Sequence, residues 1–401
     1  MNKNHMDFLV IGAGVIGLNV ALLLKSRFSD SRICLVEKEK EPGLHGSGRN
    51  SGVLHAGFYY SADSMKARFC KEGNKQLTGY CLEKGLPINR CGKLVVAADE
   101  AELAGLDELL RRGNTNGVEL EEVSEAEAKE IEPRVITFQK ALFSPTTATV
   151  SPQAVVCALA EDAKKAGIEI LADTAFLGRD GRLVKTSKGD IEAGYVVNTA
   201  GLYADRIAMH YGFSQSFRIL PFKGLYLYAD KDEPGLRTNI YPVPDLRHPF
   251  LGVHFTVDVT GRAKIGPTAI PALWREQYEG MENFSFSEMA EILMRDAGLF
   301  LHNDFGFRQV AFQEFRKLSR SRMTQLAGRM ARGVRRDAYK KWGKPGIRAQ
   351  LVNIRERRLE MDFCFEGDDR SFHVLNAVSP AFTCSMPFSL HVVNQIENLL
   401  K

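Results

Sequence analysis

The chain has 401 residues, 44% of them hydrophobic and 25% charged, with a formal net charge of +4. That is ordinary globular composition, too long for one core and pointing to two domains. The mild charge is no argument for nucleic acid, no apolar run reaches bilayer-spanning length, and seven cysteines without a Cys-x-x-Cys pair speak against a disulfide framework or a zinc site and fit a reducing compartment.

In chain order, residues 7–12 read as a short buried strand, 15–27 as a helix with Ile16, Val20, Leu23 and Leu24 apolar, and 32–37 as a second strand. Residues 8–24 look superficially like a signal-peptide core, but Gly12, Gly14 and Gly17 have a better explanation, and no cleaved signal is read. Residues 39–60 form a Gly- and Ser-rich ordered loop, followed by a helix over about 64–84. A strand over 92–98 precedes helices over 99–112 and 124–131, the latter opened by a capping box of Ser124 and Glu127. A helix over 151–166 has Pro152 in its first turn. The run 194–200 is a buried strand, followed by Gly201 and a helix through Ala208. Residues 218–228, 239–243 and 250–255 are strand-like runs broken by Pro and Gly, as in an antiparallel sheet. Helices are expected over 284–302 and 312–341, strands over 362–365 and 372–376, and a closing helix over about 386–400.

Gly12-x-Gly14-x-x-Gly17 sits between the first strand and the first helix. There the first glycine makes the tight turn, the second lets backbone approach a pyrophosphate, and the third lets helix pack on strand. The helix N-terminus offers free N–H groups to phosphates. Glu37, twenty residues past Gly17, is placed for ribose hydroxyls. Ala200-Gly201, with Asp205 a turn later, ends the strand 194–200 in the manner of a second FAD contact segment. No second Gly-x-Gly-x-x-Gly provides a nicotinamide site, so the electron acceptor is expected to be oxygen, a quinone or another protein.

The stretch Gly46-Ser-Gly-Arg-Asn-Ser-Gly-Val-Leu-His-Ala-Gly-Phe-Tyr-Tyr60, with this fingerprint, resembles the D-amino-acid oxidase superfamily of FAD-dependent oxidoreductases, and within it the L-2-hydroxyglutarate oxidase/dehydrogenase family. Residues 249–256 look like that family's substrate-domain strand, Gly346-Ile-Arg-Ala-Gln350 like its carboxylate-binding turn, and residues 376–383 like its C-terminal flavin loop. The resemblance covers nearly the whole chain. Thr268 departs from a usual Asn, and Val378, Phe382 and Cys384 stand where smaller residues are usual.

The resemblance implies an α/β fold, α+β overall, with a discontinuous Rossmann-type FAD domain (1–85, 145–216 and 345–401). The substrate domain (86–144 and 217–344) is expected on a mainly antiparallel sheet with helices. The implied reaction carries L-2-hydroxyglutarate to 2-oxoglutarate by hydride transfer to FAD. It needs a proton acceptor for the hydroxyl and a cation for the carboxylate. His254 is the candidate base, and His55 a flavin-side contact or second acid/base. Arg348 is the candidate carboxylate anchor. Tyr241, Lys223 and Tyr226 are candidate pocket residues, Lys223 as a second cation. Candidate cofactor contacts are Gly12, Gly14, Gly17, Glu37, Lys38, Ser47, Asn50, Ser51, Gly52, Ala175, Ala200, Gly201, Asp205 and Gly346. Pro380, Ala381, Phe382 and Thr383 join them just before a helix N-terminus suited to an anionic reduced flavin.

No metal is expected. Between Arg316 and Lys344 basic residues alternate with Leu318, Met323, Leu326, Met330 and Val334 at near-helical spacing, as in a basic helix lying on an anionic membrane. A solvated helical face is the rival reading, and nothing supports nucleic acid. The expected location is cytoplasmic, with the inner face of the cytoplasmic membrane as a docking place. Rival functions are oxidation of an amino acid or a glycerol phosphate within the same superfamily, and a non-catalytic flavin redox sensor.

Overall fold

The computed structural model describes residues 5–230, 235–245, 252–303 and 307–401. Contacts divide the chain into one unit of residues 1–50, 152–221 and 348–401 and another of 51–151 and 222–347.

In the first unit, the described residues form an eight-stranded sheet. His5–Ile11 pairs in parallel with Ile33–Val36 on one side and Gly189–Asn198 on the other. Glu169–Leu171 and Ser371–Asn376 extend the parallel set, and antiparallel strands lie at its margins. The central strands are apolar on both faces, as a doubly covered parallel sheet requires. Val15–Arg27 has the bounds its apolar spacing predicts, and it packs against Pro152–Lys165 and the closing helix Ser385–Leu399.

In the second unit, another eight-stranded sheet is antiparallel except at one pair. Its order is Tyr339–Trp342, Leu227–Ala229, Ala263–Gly266, His254–Val257, Asn239–Pro242, Lys93–Val96, Lys140–Ser144 and Glu121–Ser124. The helix Glu125–Ile131 opens with the expected capping box. Of the strand expected over 250–255, residues 250 and 251 lie outside the described residues, as do 249–251 of the family-like stretch 249–256.

Three expectations change. Residues 51–85, expected with the first unit, belong to the second. There Val53 and Leu54 pair with Thr149 and Ala148, Asn74 donates to Leu54 O, and Phe58 and Tyr59 pack with Val95, Leu106 and Leu109. The long basic helix over 312–341 is instead Phe307–Arg316, Arg320–Ala327, a 3-10 turn Arg336–Ala338 and the strand Tyr339–Trp342. Its helical spacing of Met323, Ala327 and Met330 serves core packing, because these side chains are buried in the hydrophobic cluster beneath the sheet. Finally, residues 346–350 are not a turn but the start of the strand Gly346–Asn353. No helix among the described residues is long and apolar enough to cross a membrane.

Candidate active site

The glycine turn of the first unit leaves no room for side chains. Gly12 has φ +103°, and a Cβ there would stand 2.8 Å from Thr199 O. At Gly14 it would meet Ser47 Oγ at 2.8 Å, and at Gly17 it would fall 2.0 Å from Gly12 O. The turn is fixed from outside. Glu37 Oε2 accepts from Ala13 N at 2.8 Å and Oε1 from Glu39 N at 3.0 Å, while Ser47 Oγ accepts from Val15 N at 2.9 Å. A helix's first-turn amides have no partner within the helix, so the edge of this turn is a ready anion seat. Each Glu37 oxygen keeps a further lone pair for a ribose hydroxyl.

The other first-unit candidates take the following places. Lys38 Nζ lies over the Tyr203 ring at 5.7 Å. Asn50 donates to Ser47 O at 2.8 Å. Ala175 N donates to Ser187 Oγ, and Ala200 N to Asn198 Oδ1. Gly201 has φ +53°. Asp205 is fully buried, and its carboxylate accepts from Ile219 N at 3.0 Å, a bracing contact within the fold. Pro380 follows a cis peptide bond, Ala381 N donates to Val378 O, and Phe382 and buried Thr383 lead into Ser385–Leu399. Ser389 of that helix donates to Ile16 O at 3.3 Å, tying it to the helix that opens at the glycine turn. Arg348 is half-buried on Gly346–Asn353.

The second unit gathers its polar candidates by strand alternation, since successive side chains point to opposite faces. Leu94, Val96, Ile240, Phe255, Val257, Ala263 and Ile265 turn to one face and build the cluster with Met323 and Ala327. The residues between them turn to the other. Lys93 is in register with Asn239, Ile240 with Phe255, His254 with Gly266, and Thr256 and Tyr228 with Lys264. One buried face therefore carries Lys93, Tyr241, His254 and Lys264, with Tyr226 5.0 Å from Lys264 Nζ. Ser51 and Gly52 enter beside it: Ser51 O accepts from Lys264 Nζ at 2.9 Å, and Gly52, at φ +77°, accepts from Val150 N. Lys223 lies on another strand pair, opposite Ile270.

His254 stacks on Tyr241, ring centroids 3.8 Å apart. Its Nδ1 is 2.8 Å from Gly252 O, so Nδ1 carries the proton and Nε2 presents a lone pair. Burial pushes its pKa down to about 3, the Gly252 carbonyl opposing and Lys93, Lys317 and Lys264 adding to the fall. Burial, then Lys93 and His254, also hold His55 well below the usual range. Both imidazoles are neutral at pH 7.

Lys93, Tyr59 and Phe58 are the residues sequence reasoning missed. Lys93 is 0% exposed, and its Nζ has no hydrogen-bond partner among the described residues. It faces the rings of Phe58 and Tyr59 at 4.5 Å each and of Tyr241 at 4.9 Å. Burial pushes its pKa down from 10.5 to about 7. The unfolded chain holds a proton there that the folded chain sheds, so stability rises with pH between those two values. Urea unfolding across that window should show the rise, and Lys93→Met should flatten it; an equal rise in the variant would contradict the assignment.

A family model described as FAD dependent oxidoreductase matches residues 7–386. The chain belongs to this family. FAD-dependent oxidoreductases require a dinucleotide seat, and the side-chain-free glycine turn with Glu37 beside it fits FAD. The chain is similar to the L-2-hydroxyglutarate dehydrogenase of Escherichia coli strain K12, 35% identical, with 98% of this chain and 94% of that protein covered. It is 36% identical to the mitochondrial L-2-hydroxyglutarate dehydrogenase of Mus musculus, covering 98% and 88%. Its fold is that of the FAD-bound L-α-glycerophosphate oxidase of Mycoplasma pneumoniae, at TM-score 0.78 and 20% identity over 98% of this chain and 95% of that one. It is also that of the glycine oxidase of Geobacillus kaustophilus, at TM-score 0.72 and 20% identity over 99% and 95%.

Proposed function

We propose that this FAD-dependent oxidoreductase oxidises L-2-hydroxyglutarate to 2-oxoglutarate. The observation that carries the reading is whole-chain similarity to dehydrogenases of that hydroxy acid from a bacterium and a mammal. The chemistry of the polar sheet face agrees with it. Bound FAD supplies the hydride acceptor. His254 Nε2 takes the hydroxyl proton, in the tautomer fixed by Gly252 O and the plane fixed by Tyr241. Arg348 is the proposed anchor for a substrate carboxylate. His55 lines the face as a second neutral imidazole. The glycine turn and Glu37 hold the dinucleotide, with residues 380–383 as further contacts. Incubation of the holoenzyme with L-2-hydroxyglutarate and an artificial acceptor should yield 2-oxoglutarate. Equal yield from the D enantiomer, or none from the L, would overturn the reading.

For the acceptor we propose a membrane quinone, oxygen being the alternative, with the protein at the inner face of the cytoplasmic membrane. The docking surface lies upstream of the basic segment's core-facing residues. On Phe286–His302 and Phe307–Arg316, Phe286, Met294, Leu301, Phe312 and Phe315 are exposed, alongside exposed Arg308 and Arg316. Apolar side chains rimmed by cations suit an anionic bilayer. Vesicles containing phosphatidylglycerol should sediment the protein, and Phe312→Ser with Phe315→Ser should release it. No sedimentation of the wild type would leave oxygen or a soluble acceptor.

A further inference from the structure

We propose that Lys93 receives the distal carboxylate of a dicarboxylate substrate and so selects a diacid over a monoacid; this rests on the hydroxy-acid reading above. Lys93 is completely buried, its Nζ has no hydrogen-bond partner among the described residues, and three aromatic rings surround it. Cation–π attraction offsets part of the cost of such burial, but a buried charge normally has a counter-charge.

Among the described residues, no carboxylate bears on it. His55 lies in the loop after Val53–Leu54, Cys70 on Met65–Glu83, Tyr241 and in-register Asn239 on one neighbouring strand, and His254 on the next. None carries a carboxylate, and the charged groups that bear on His254 are Lys93, Lys317 and Lys264. Among the described residues, the face supplies no carboxylate of its own.

Its spacing suits a short diacid. The Tyr241 ring is 4.9 Å from Lys93 Nζ and 3.8 Å from the His254 ring. A carboxylate on Lys93 would thus belong to the same short molecule as a hydroxyl on His254. Lys223, the second cation expected from sequence, sits on a different strand pair and has Glu279 as its charged neighbour. It already has what Lys93 lacks.

The test uses the holoenzyme and two acids without a hydroxyl, glutarate and butyrate, titrated against the visible flavin spectrum. Wild type should prefer glutarate. Lys93→Met and Lys93→Gln should each lower glutarate affinity by about 100-fold and butyrate affinity far less, the effect of removing one partner of a buried charge pair. The ratio of kcat/KM for L-2-hydroxyglutarate over L-2-hydroxybutyrate should fall by a similar factor. Wild type gives an independent reading, because the glutarate preference should weaken as pH rises above about 7, where Lys93 loses its proton. Folded, flavin-loaded variants with the wild-type ratio, or a wild-type preference flat with pH, would overturn the role of Lys93 alone. A wild type that oxidises no 2-hydroxy acid would overturn the underlying reading, which is a separate result.

Discussion

Replacing His254 with Gln should lower kcat for L-2-hydroxyglutarate by about 100-fold to 10,000-fold, the usual range for losing a positioned proton acceptor, while FAD stays bound. The imidazole is the group on the polar face whose lone pair is fixed in direction, by the Nδ1 hydrogen bond to Gly252 O and the stack on Tyr241. Glutamine keeps polarity and approximate volume but accepts no proton at neutral pH. The dinucleotide seat lies on other residues, so the variant should purify yellow. Stopped-flow reduction of the flavin isolates the affected step from reoxidation. An unchanged reduction rate would remove His254 from the chemistry and favour a substrate that arrives without a proton to lose, such as a neutral amine.

Gly17→Ala should give protein that binds little or no FAD. A methyl at this position would fall 2.0 Å from Gly12 O, backbone that cannot swing aside, and 2.6 Å from the side-chain Oγ1 of Thr199. To make room, the helix Val15–Arg27 must lift from the turn, and its first amides move away from where phosphates would sit. The buried apolar sheet beneath is untouched, so the variant should still fold. The ratio of visible flavin absorbance to protein absorbance measures the loss. A normal ratio would mean that the pyrophosphate does not depend on this close approach. Gly201 offers the contrast, since a Cβ there meets no heavy atom within 4 Å and its only demand is the positive φ.

The dinucleotide half was legible because its constraints are local. A strand, three glycines at fixed offsets and an acid at the end of the next strand are consecutive in sequence, and Val15–Arg27 appears with the expected bounds. The second unit was harder to read because both faces of its sheet are buried. Lys93-Leu-Val-Val96 shows no clean polar alternation, since Val95 shares a face with Lys93. The lysine's isolation depends on strands that approach from about 145 and 160 residues away, Asn239–Pro242 and His254–Val257. The basic segment misled for a related reason. Met323, Ala327 and Met330 at helical spacing fit a membrane-facing stripe as well as a core-facing one, and only the sheet above them decides between the two.

The measurement that bears most directly on the central claim is anaerobic reduction of the bound flavin. The purified holoenzyme would be mixed without oxygen with L-2-hydroxyglutarate, D-2-hydroxyglutarate, L-lactate, glycerol 3-phosphate and a set of amino acids, and the visible flavin absorbance followed. Rapid bleaching by L-2-hydroxyglutarate, with little or none by the others, is the predicted result. Bleaching by an amino acid or glycerol 3-phosphate, with none by L-2-hydroxyglutarate, would keep the fold and contradict the assigned substrate.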